Sequence, residues 1–410
     1  MGEGRKFTSV AAAGITFQAG SAAVDSATII SALVFQLTGS PILVGAVTAI
    51  LRFGWLFPQL FVGFLAQRDG ASMRYYKIGA FGRAGCMALL ALVLATGAYW
   101  SQGLLAVAVM VLWTAYAFIS GIVAVPYNDI VARTIPSERR SRLLATRFFG
   151  GGLLALAIVA LADRLVVDMA FPQSYAAIIA MAAVLMFLSS GVFASLGGPE
   201  GASKPSAKPT FFQYLRDGIE VFHTDRRFRL FVFAQWCGGA VLMAMPFYVV
   251  QAYASGFDLT RVAVLLGAQT AGALASNALW GWWGDKLGKA SLLRAVAFGR
   301  IFPPAVILFL AFEPIREQTE ALFIFAAVFF VLGALANGLT IAVIGYLMEI
   351  SPDDQRPAYS GYFNAITAPA FLLPRLAGFF AAFFGLWPIF ALSALAAVLQ
   401  VFFVSSIGRH

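Results

Sequence analysis

Few residues of this 410-residue chain are suited to chemistry, and those that are interrupt long apolar stretches. Asp25 lies among the small residues Ser21, Ala22, Ala23 and Ser26, and Arg52 and Arg375 break other such stretches. The amides Gln18, Gln251, Asn337 and Asn364 lie in or beside them. A charge at the middle of a bilayer costs roughly 2.5 to 3.5 kcal/mol on insertion scales, so an ionisable group there marks a site by default. A carboxyl group in an apolar cavity favours its neutral form, which suits Asp25 to exchange a proton and to couple movement to a proton gradient. Guanidinium groups read carboxylate or phosphate through paired hydrogen bonds, which suits Arg52 and Arg375, with the four amides, to a small anionic or amphipathic solute. Arg52 is also the expected partner of Asp25, because the second stretch returns antiparallel to the first and brings it to similar depth.

Catalytic chemistry has little to work with. His223 and His410 are the only histidines and neither falls in an apolar stretch, so neither an HExxH helix nor a Ser-His-Asp triad can form there. A P-loop is also missing from the sequence. Cys86 and Cys237 have no CxxC spacing and read as small packing residues rather than as a disulfide or a thiolate metal site. The expectation is therefore no enzyme, no cofactor and no metal.

The elements that must position these residues follow from composition. Hydrophobic residues make up 60% of the chain and charged residues 11%. No soluble domain of this size hides that much apolar surface, so the solvent is lipid. Spans of about 20 apolar residues are expected at Ala11–Phe35, Ile42–Ala66, Tyr75–Tyr99, Leu104–Val131, Leu143–Leu165, Tyr175–Leu196, Leu230–Ala254, Val262–Trp283, Leu292–Phe312, Ala321–Met348, Tyr359–Phe384 and Pro388–Ser405. Lys and Arg crowd into alternate gaps, among them Arg68, Arg74, Lys77, Arg133, Arg139, Arg140, Arg142, Lys286, Lys289 and Arg356. By the positive-inside rule those gaps and both termini are cytoplasmic. The expected location is a plasma membrane, the inner membrane of a bacterium. The net charge of +9 is explained by this topology and by contact with anionic lipid, so nucleic acid is not an expected partner. Arg5 and Lys6 lead into an apolar run too long for a cleaved leader, so the first span is expected to stay.

Between 197 and 229 the apolar rhythm stops. A Gly- and Pro-containing hydrophilic linker runs there, with Phe211, Leu215, Ile219 and Phe222 at helical spacing. That helix lies either on the membrane surface or packed on the bundle. The linker divides a six-span half, 1–196, from a second, 230–410. The halves echo each other: Gly63-Phe64-Leu65-Ala66-Gln67-Arg68-Asp69-Gly70 matches Gly281-Trp282-Trp283-Gly284-Asp285-Lys286-Leu287-Gly288. Ala80-Phe81-Gly82-Arg83 matches Ala297-Phe298-Gly299-Arg300, and Pro136-Ser137-Glu138-Arg139-Arg140 meets Pro352-Asp353-Asp354-Gln355-Arg356. The three pairs share nearly one offset, the mark of a duplicated unit.

On these residues the chain resembles the major facilitator superfamily over essentially its whole length. The resemblance implies an all-α membrane fold of twelve spanning helices in two pseudo-symmetric bundles, working as a monomeric secondary transporter that alternates access to a midplane site. It also implies that the signature acid, here Asp285, meets the amino terminus of a helix near Glu138, Arg140, Arg142 and Arg147 and closes the cytoplasmic side. With Gln67 in the other copy, Asp69 and Arg356 are the expected counterpart. Arg83, Arg300, Asp129 and Glu349 are expected to form a structural charge network, the acids facing Arg133, Arg147, Arg83 or Arg300. The leading reading is a proton-coupled carrier of a small organic solute. The alternatives are a non-transporting membrane scaffold or assembly factor, or a lipid flippase with a lateral portal.

Overall fold

A chain in hydrocarbon must satisfy its backbone polar groups within each segment, which favours helices throughout. The computed structural model describes residues 2–26, 28–197, 210–312, 318–373 and 383–407, and contains helices and short 3-10 turns with no strand among them. The first half of the sequence forms α1 (Glu3–Ala23), α2 (Ile29–Thr38), α3 (Pro41–Asp69), α4 (Ser72–Ala95), α5 (Gln102–Gly121), α6 (Ala124–Thr134), α7 (Ser137–Asp168) and α8 (Gln173–Ala194). The linker helix is α9 (Phe211–Thr224). The second half forms α10 (Arg226–Val241), α11 (Met245–Ala254), α12 (Leu259–Ala275), α13 (Asn277–Lys286), α14 (Lys289–Gly299), α15 (Phe302–Phe312), α16 (Gln318–Ile350), α17 (Arg356–Thr367) and α18 (Trp387–Ser406).

Proline sets many of the breaks. A helix's first turn does not use the N–H that proline lacks, so proline is tolerated there and ends the helix before it. Pro126, Pro246 and Pro303 stand in the first turns of α6, α11 and α15, which is why the fourth, seventh and ninth spans are each two helices. Nine helical stretches among the described residues are long and apolar enough to cross a membrane. Of the twelve expected spans, the first, eighth and eleventh are not in that set. The eighth divides at Ser276 between α12 and α13, and the eleventh enters residues outside the described range. The first span breaks without proline: α1 stops at Ala23 and helix resumes at Ile29. Ser, Asp and Thr compete with the helix for its backbone groups. Asp25 Oδ1 accepts the Thr28 N–H at 3.0 Å and its hydroxyl at 2.9 Å, and the Ser31 hydroxyl donates to the Ser26 carbonyl at 2.7 Å.

The chain divides into two compact units that interleave in sequence. The first comprises Met1–Pro136, Thr146–Tyr214 and Ser351–Ala365; the second comprises Ser137–Ala145, Leu215–Ile350 and Ile366–His410. In the first unit α4 packs on α8 and α5, α1 on α8, and α3 on α5. Leu33, Met87, Leu90, Trp113 and Ile179 fill the core, and the Trp113 indole donates to the Val47 carbonyl at 3.0 Å. In the second unit α12 packs on α16 and α10 on α18, around Tyr248, Phe325, Phe329 and Phe390. Lipid is as apolar as leucine, so close backbone approach rather than escape from water holds such helices. A Cβ at Gly272 would stand 2.0 Å from the Phe330 carbonyl oxygen, and one at Gly333 would stand 1.8 Å from that of Gln269, which fixes both as glycine. Gly70 and Gly288, the last residues of the repeated motif, have φ of 62° and 88° and turn α3 into α4 and α13 into α14.

The linker helix buries Tyr214 and Gly218 and half-buries Phe222, while Phe212 and Ile219 face outward. Within the first unit Phe211 stacks on Phe61, and the Tyr362 hydroxyl donates to the Tyr214 carbonyl at 2.8 Å.

Candidate functional site

Two charged residues of the first unit stand where the spans are thinnest in explanation. Asp25 sits in the α1–α2 break and is exposed, its carboxylate accepting from the N–H and hydroxyl of Thr28, the residue before α2. Arg52 is exposed on α3, roughly 17 Å along the helix from Pro41 at 1.5 Å per residue. No ion pair joins them among the described residues, which corrects the expected Asp25–Arg52 bond. The break turns Asp25 toward its own loop instead. Arg375 lies outside the described residues.

The amides fall into different settings. Asn337 donates to the Ala273 carbonyl at 2.9 Å and approaches Asn277 at 3.4 Å, so it stitches the α12–α13 break rather than standing free. Asn364 donates to the Oε1 of the fully buried Gln59, which itself donates to the Trp55 carbonyl at 2.7 Å. Gln251 is half-buried on α11. Gln18 packs on Gly151, and its Oε1 is buried with no hydrogen-bond partner.

The repeated motif builds a polar cluster in each unit. In the second, Asp285 accepts the N–H of Ser141 through Oδ1 and of Arg142 through Oδ2, both at 2.9 Å. Lys289 lies 3.2 Å from Oδ1 and also donates to the Ser137 carbonyl. In a regular helix the Ser141 N–H would bond that same carbonyl, so Asp285 and Lys289 engage the two ends of one helical hydrogen bond of α7. An anion beside the first turns of a helix is favoured by about 0.3 to 1 kcal/mol when exposed and more when buried, as here. A Cβ at Gly284 would stand 2.3 Å from the Ser141 hydroxyl oxygen, so the motif's glycine makes this approach possible. Glu138 is exposed and Arg140 is buried. Arg147 belongs to the first unit and lies against Gly14 and Tyr127.

In the first unit the cluster centres on Asp129 rather than Asp69. Asp69 accepts from the Tyr75 hydroxyl. Asp129, 3% exposed, accepts from the Ser72 hydroxyl at 2.6 Å and the Arg133 Nε at 2.8 Å, and Arg356 approaches it at 3.8 Å. Arg356 also pairs with Asp353, and Arg133 donates to the Asp353 carbonyl. The expected Asp69–Arg356 pair is thus corrected, since Asp69 is engaged by the next turn of its own hairpin. Gln67, which stands where the other copy has Asp285, donates to the Asp354 carbonyl at 2.8 Å. Counting from the aligned Pro136 and Pro352, Ser141 corresponds to Pro357, which has no N–H to give. The two copies therefore differ on both sides of the contact, an amide against an acid and a proline against one of its two N–H donors, while Ala358, opposite Arg142, keeps its N–H. Gln67 stands out in the sequence as a departure from the motif, whereas Pro357 gains meaning only beside the Asp285 contact.

Arg83 and Arg300 are both buried and neither meets an acid among the described residues. Arg300 donates to Gln400 Oε1 at 2.8 Å and to the Gly238 carbonyl at 2.9 Å. Arg83 lies over the Phe17 ring with its carbon 3.7 Å from the centroid. Asp129 serves Arg133 and Arg356, and Glu349 is exposed at the end of α16. The expected neutralisation of Arg83, Arg147 and Arg300 by these two acids is corrected accordingly. Gln59, Gln400 and Tyr214 are further buried polar residues, and the apolar flanks of the two glutamines give no period that sets them apart in the sequence.

No family model and no curated protein matches this sequence. Solved structures match almost all of it. A bacterial homologue of the iron transporter ferroportin, in an outward-facing state, has a TM-score of 0.80 at 14% identity, covering 99% of this chain and 100% of that one. The E. coli fucose:proton symporter has a TM-score of 0.70 at 16% identity, with 98% of each chain covered. The proton:xylose symporter XylE, bound to 6-bromo-6-deoxy-D-glucose, has a TM-score of 0.68 at 15% identity, covering 98% of this chain and 95% of that one. Together with the duplicated motif and the apolar helices, these likenesses show that the chain is a multi-pass membrane protein with the fold of the major facilitator superfamily.

Proposed function

We propose that the protein is a secondary active transporter of a small organic solute, coupled to protons through Asp25, in which Arg52 contacts the solute. The observation that carries this reading is the break in the first span. An acid in an unwound stretch of a membrane helix has freed backbone groups beside it, and such stretches are tolerated only where they are buried in protein or line a water-filled cavity. Exposed Arg52 near the middle of α3 has the same requirement, because a cation facing acyl chains there is expensive. The proton symporters among the fold's solved examples are consistent with this reading. Gln18, Gln251 and Arg375 are proposed as further solute contacts, and the Asp285 and Asp129 clusters as the contacts that an alternating cycle makes and breaks. A plasma-membrane location with both termini cytoplasmic is part of the proposal.

An apolar groove of about 740 Å³ along α3 and α5, lined by Leu43, Ile50, Met110, Val111 and Phe118, favours a second reading in which the cargo carries an acyl chain. Proteoliposomes with an imposed pH gradient separate these. Proton-driven accumulation of a water-soluble solute from a broad panel, lost in Asp25→Asn, supports the first reading. Movement of labelled lipid between leaflets without solute uptake supports the second, and neither activity leaves a scaffold.

A further inference from the structure

The first unit holds two cations that no described residue neutralises. Arg83 projects from the middle of α4, about 17 Å from Ser72 along the helix, and is 5% exposed. Arg147 reaches from α7 across Gly14, where a Cβ would stand 2.5 Å from its Cγ and Cδ, and its guanidinium carbon lies 5.1 Å from the Tyr127 ring centroid. Gly14 and Phe17 are one turn apart on α1 and so share a face. The side chain crossing Gly14 and the one stacked on Phe17 therefore run beside each other, and like charges side by side within a protein repel. Neither guanidinium donates a hydrogen bond to a described residue. The Nε of each is buried without a partner, and so are the Tyr127 hydroxyl and Gln18 Oε1 nearby.

The duplicated half shows what is missing. Arg300, the repeat-related residue, spends its charge on the Gln400 amide and the Gly238 carbonyl. Arg83 has neither acceptor and gains a second arginine instead. A guanidinium has five donors, and a buried donor left unmade costs about 1 to 3 kcal/mol, more when charged. Buried water would satisfy donors but leave the mutual repulsion in place. An anion does both at once.

We propose that Arg83 and Arg147 form a binding site for a small anion within the first unit, with the Tyr127 hydroxyl as a further donor. The ligand is a halide-sized inorganic ion, a phosphate, or the carboxylate of an organic acid. The site does not depend on Asp25 or Arg52 and stands whichever solute is carried.

The test uses the full-length protein in detergent with gluconate as the sole anion. Chloride, acetate or phosphate is titrated in at constant ionic strength while Tm is followed, since a ligand of the native state raises it in a saturable way. The expected result is a saturable rise of several degrees with at least one of the three, absent in Arg83→Gln and Arg147→Gln and retained in the exposed Arg164→Gln. Response to acetate alone identifies a carboxylate site, and response to chloride or phosphate an inorganic one. If Arg83→Gln does not fold, half-buried Arg147→Gln decides. No saturable rise with any of the three, or an unchanged rise in the arginine variants, overturns the site.

Discussion

At the scale of single residues, the two copies of the loop motif show how one side chain sets the chemistry of its partner. Asp285 holds two backbone N–H groups and a lysine, and hydrogen bonds to a charged group are worth about 1.5 to 3 kcal/mol each. Asp285→Asn removes the charge, so amide hydrogens of Ser141 and Arg142 should exchange with solvent at least tenfold faster, read by hydrogen–deuterium exchange of the 137–145 segment. The reverse change in the other copy should fail. Gln67→Asp places a carboxylate against the Asp354 carbonyl, with Pro357 unable to donate, and is expected to lower stability by about 1 to 3 kcal/mol; a rise in Tm would contradict this. The sequence alone pointed to Asp285 because the motif carries it at a fixed place between two spans. It did not point to Asp129 as the hub of the first unit, since Asp129, Arg133, Ser72 and Arg356 come from three separated segments that only the fold brings together.

At the scale of elements, glycine and proline explain most of what periodicity could not. Apolar period identifies a span but says nothing about where it bends, so the long stretches were legible while the α5–α6, α10–α11 and α14–α15 breaks were not placed. The break at Asp25 was less legible still, because it depends on Thr28 and Ser31 bonding back to the loop. Tight helix approaches carry their own test. The Tyr214 hydroxyl lies where a Cβ at Gly361 would come within 2.5 Å of it, with other atoms no nearer than 3.4 Å. Gly361→Ala should therefore destabilise by about 1 to 3 kcal/mol, the usual range for overpacking, and Tyr214→Phe should restore most of the loss in a double-mutant cycle. Burial pushes the Tyr214 phenol above its ordinary range, so it stays neutral in the folded protein. The stability linked to that shift is present below the ordinary tyrosine pKa of about 10 and is lost only as pH rises beyond it. The rescue should accordingly be the same at pH 6 and pH 8.

At the scale of the whole molecule, the two halves of the sequence exchange short segments: 137–145 packs in the second unit and 351–365 in the first. The Asp285 and Asp129 clusters lie on these exchanged segments, which is why they are proposed as the contacts that a transport cycle makes and breaks. The proposal depends on mid-span charges meeting water in turn from each side of the bilayer. The most direct measurement places a single cysteine at position 52 by Arg52→Cys, with Cys86 and Cys237 replaced by alanine, and labels it in oriented vesicles with a membrane-impermeant thiol reagent. Labelling from both faces is the predicted result, with the balance between faces shifting toward the motif-loop side in Asp285→Asn. A cysteine at that position that reacts from neither face would place it against lipid or sealed protein and contradict the account.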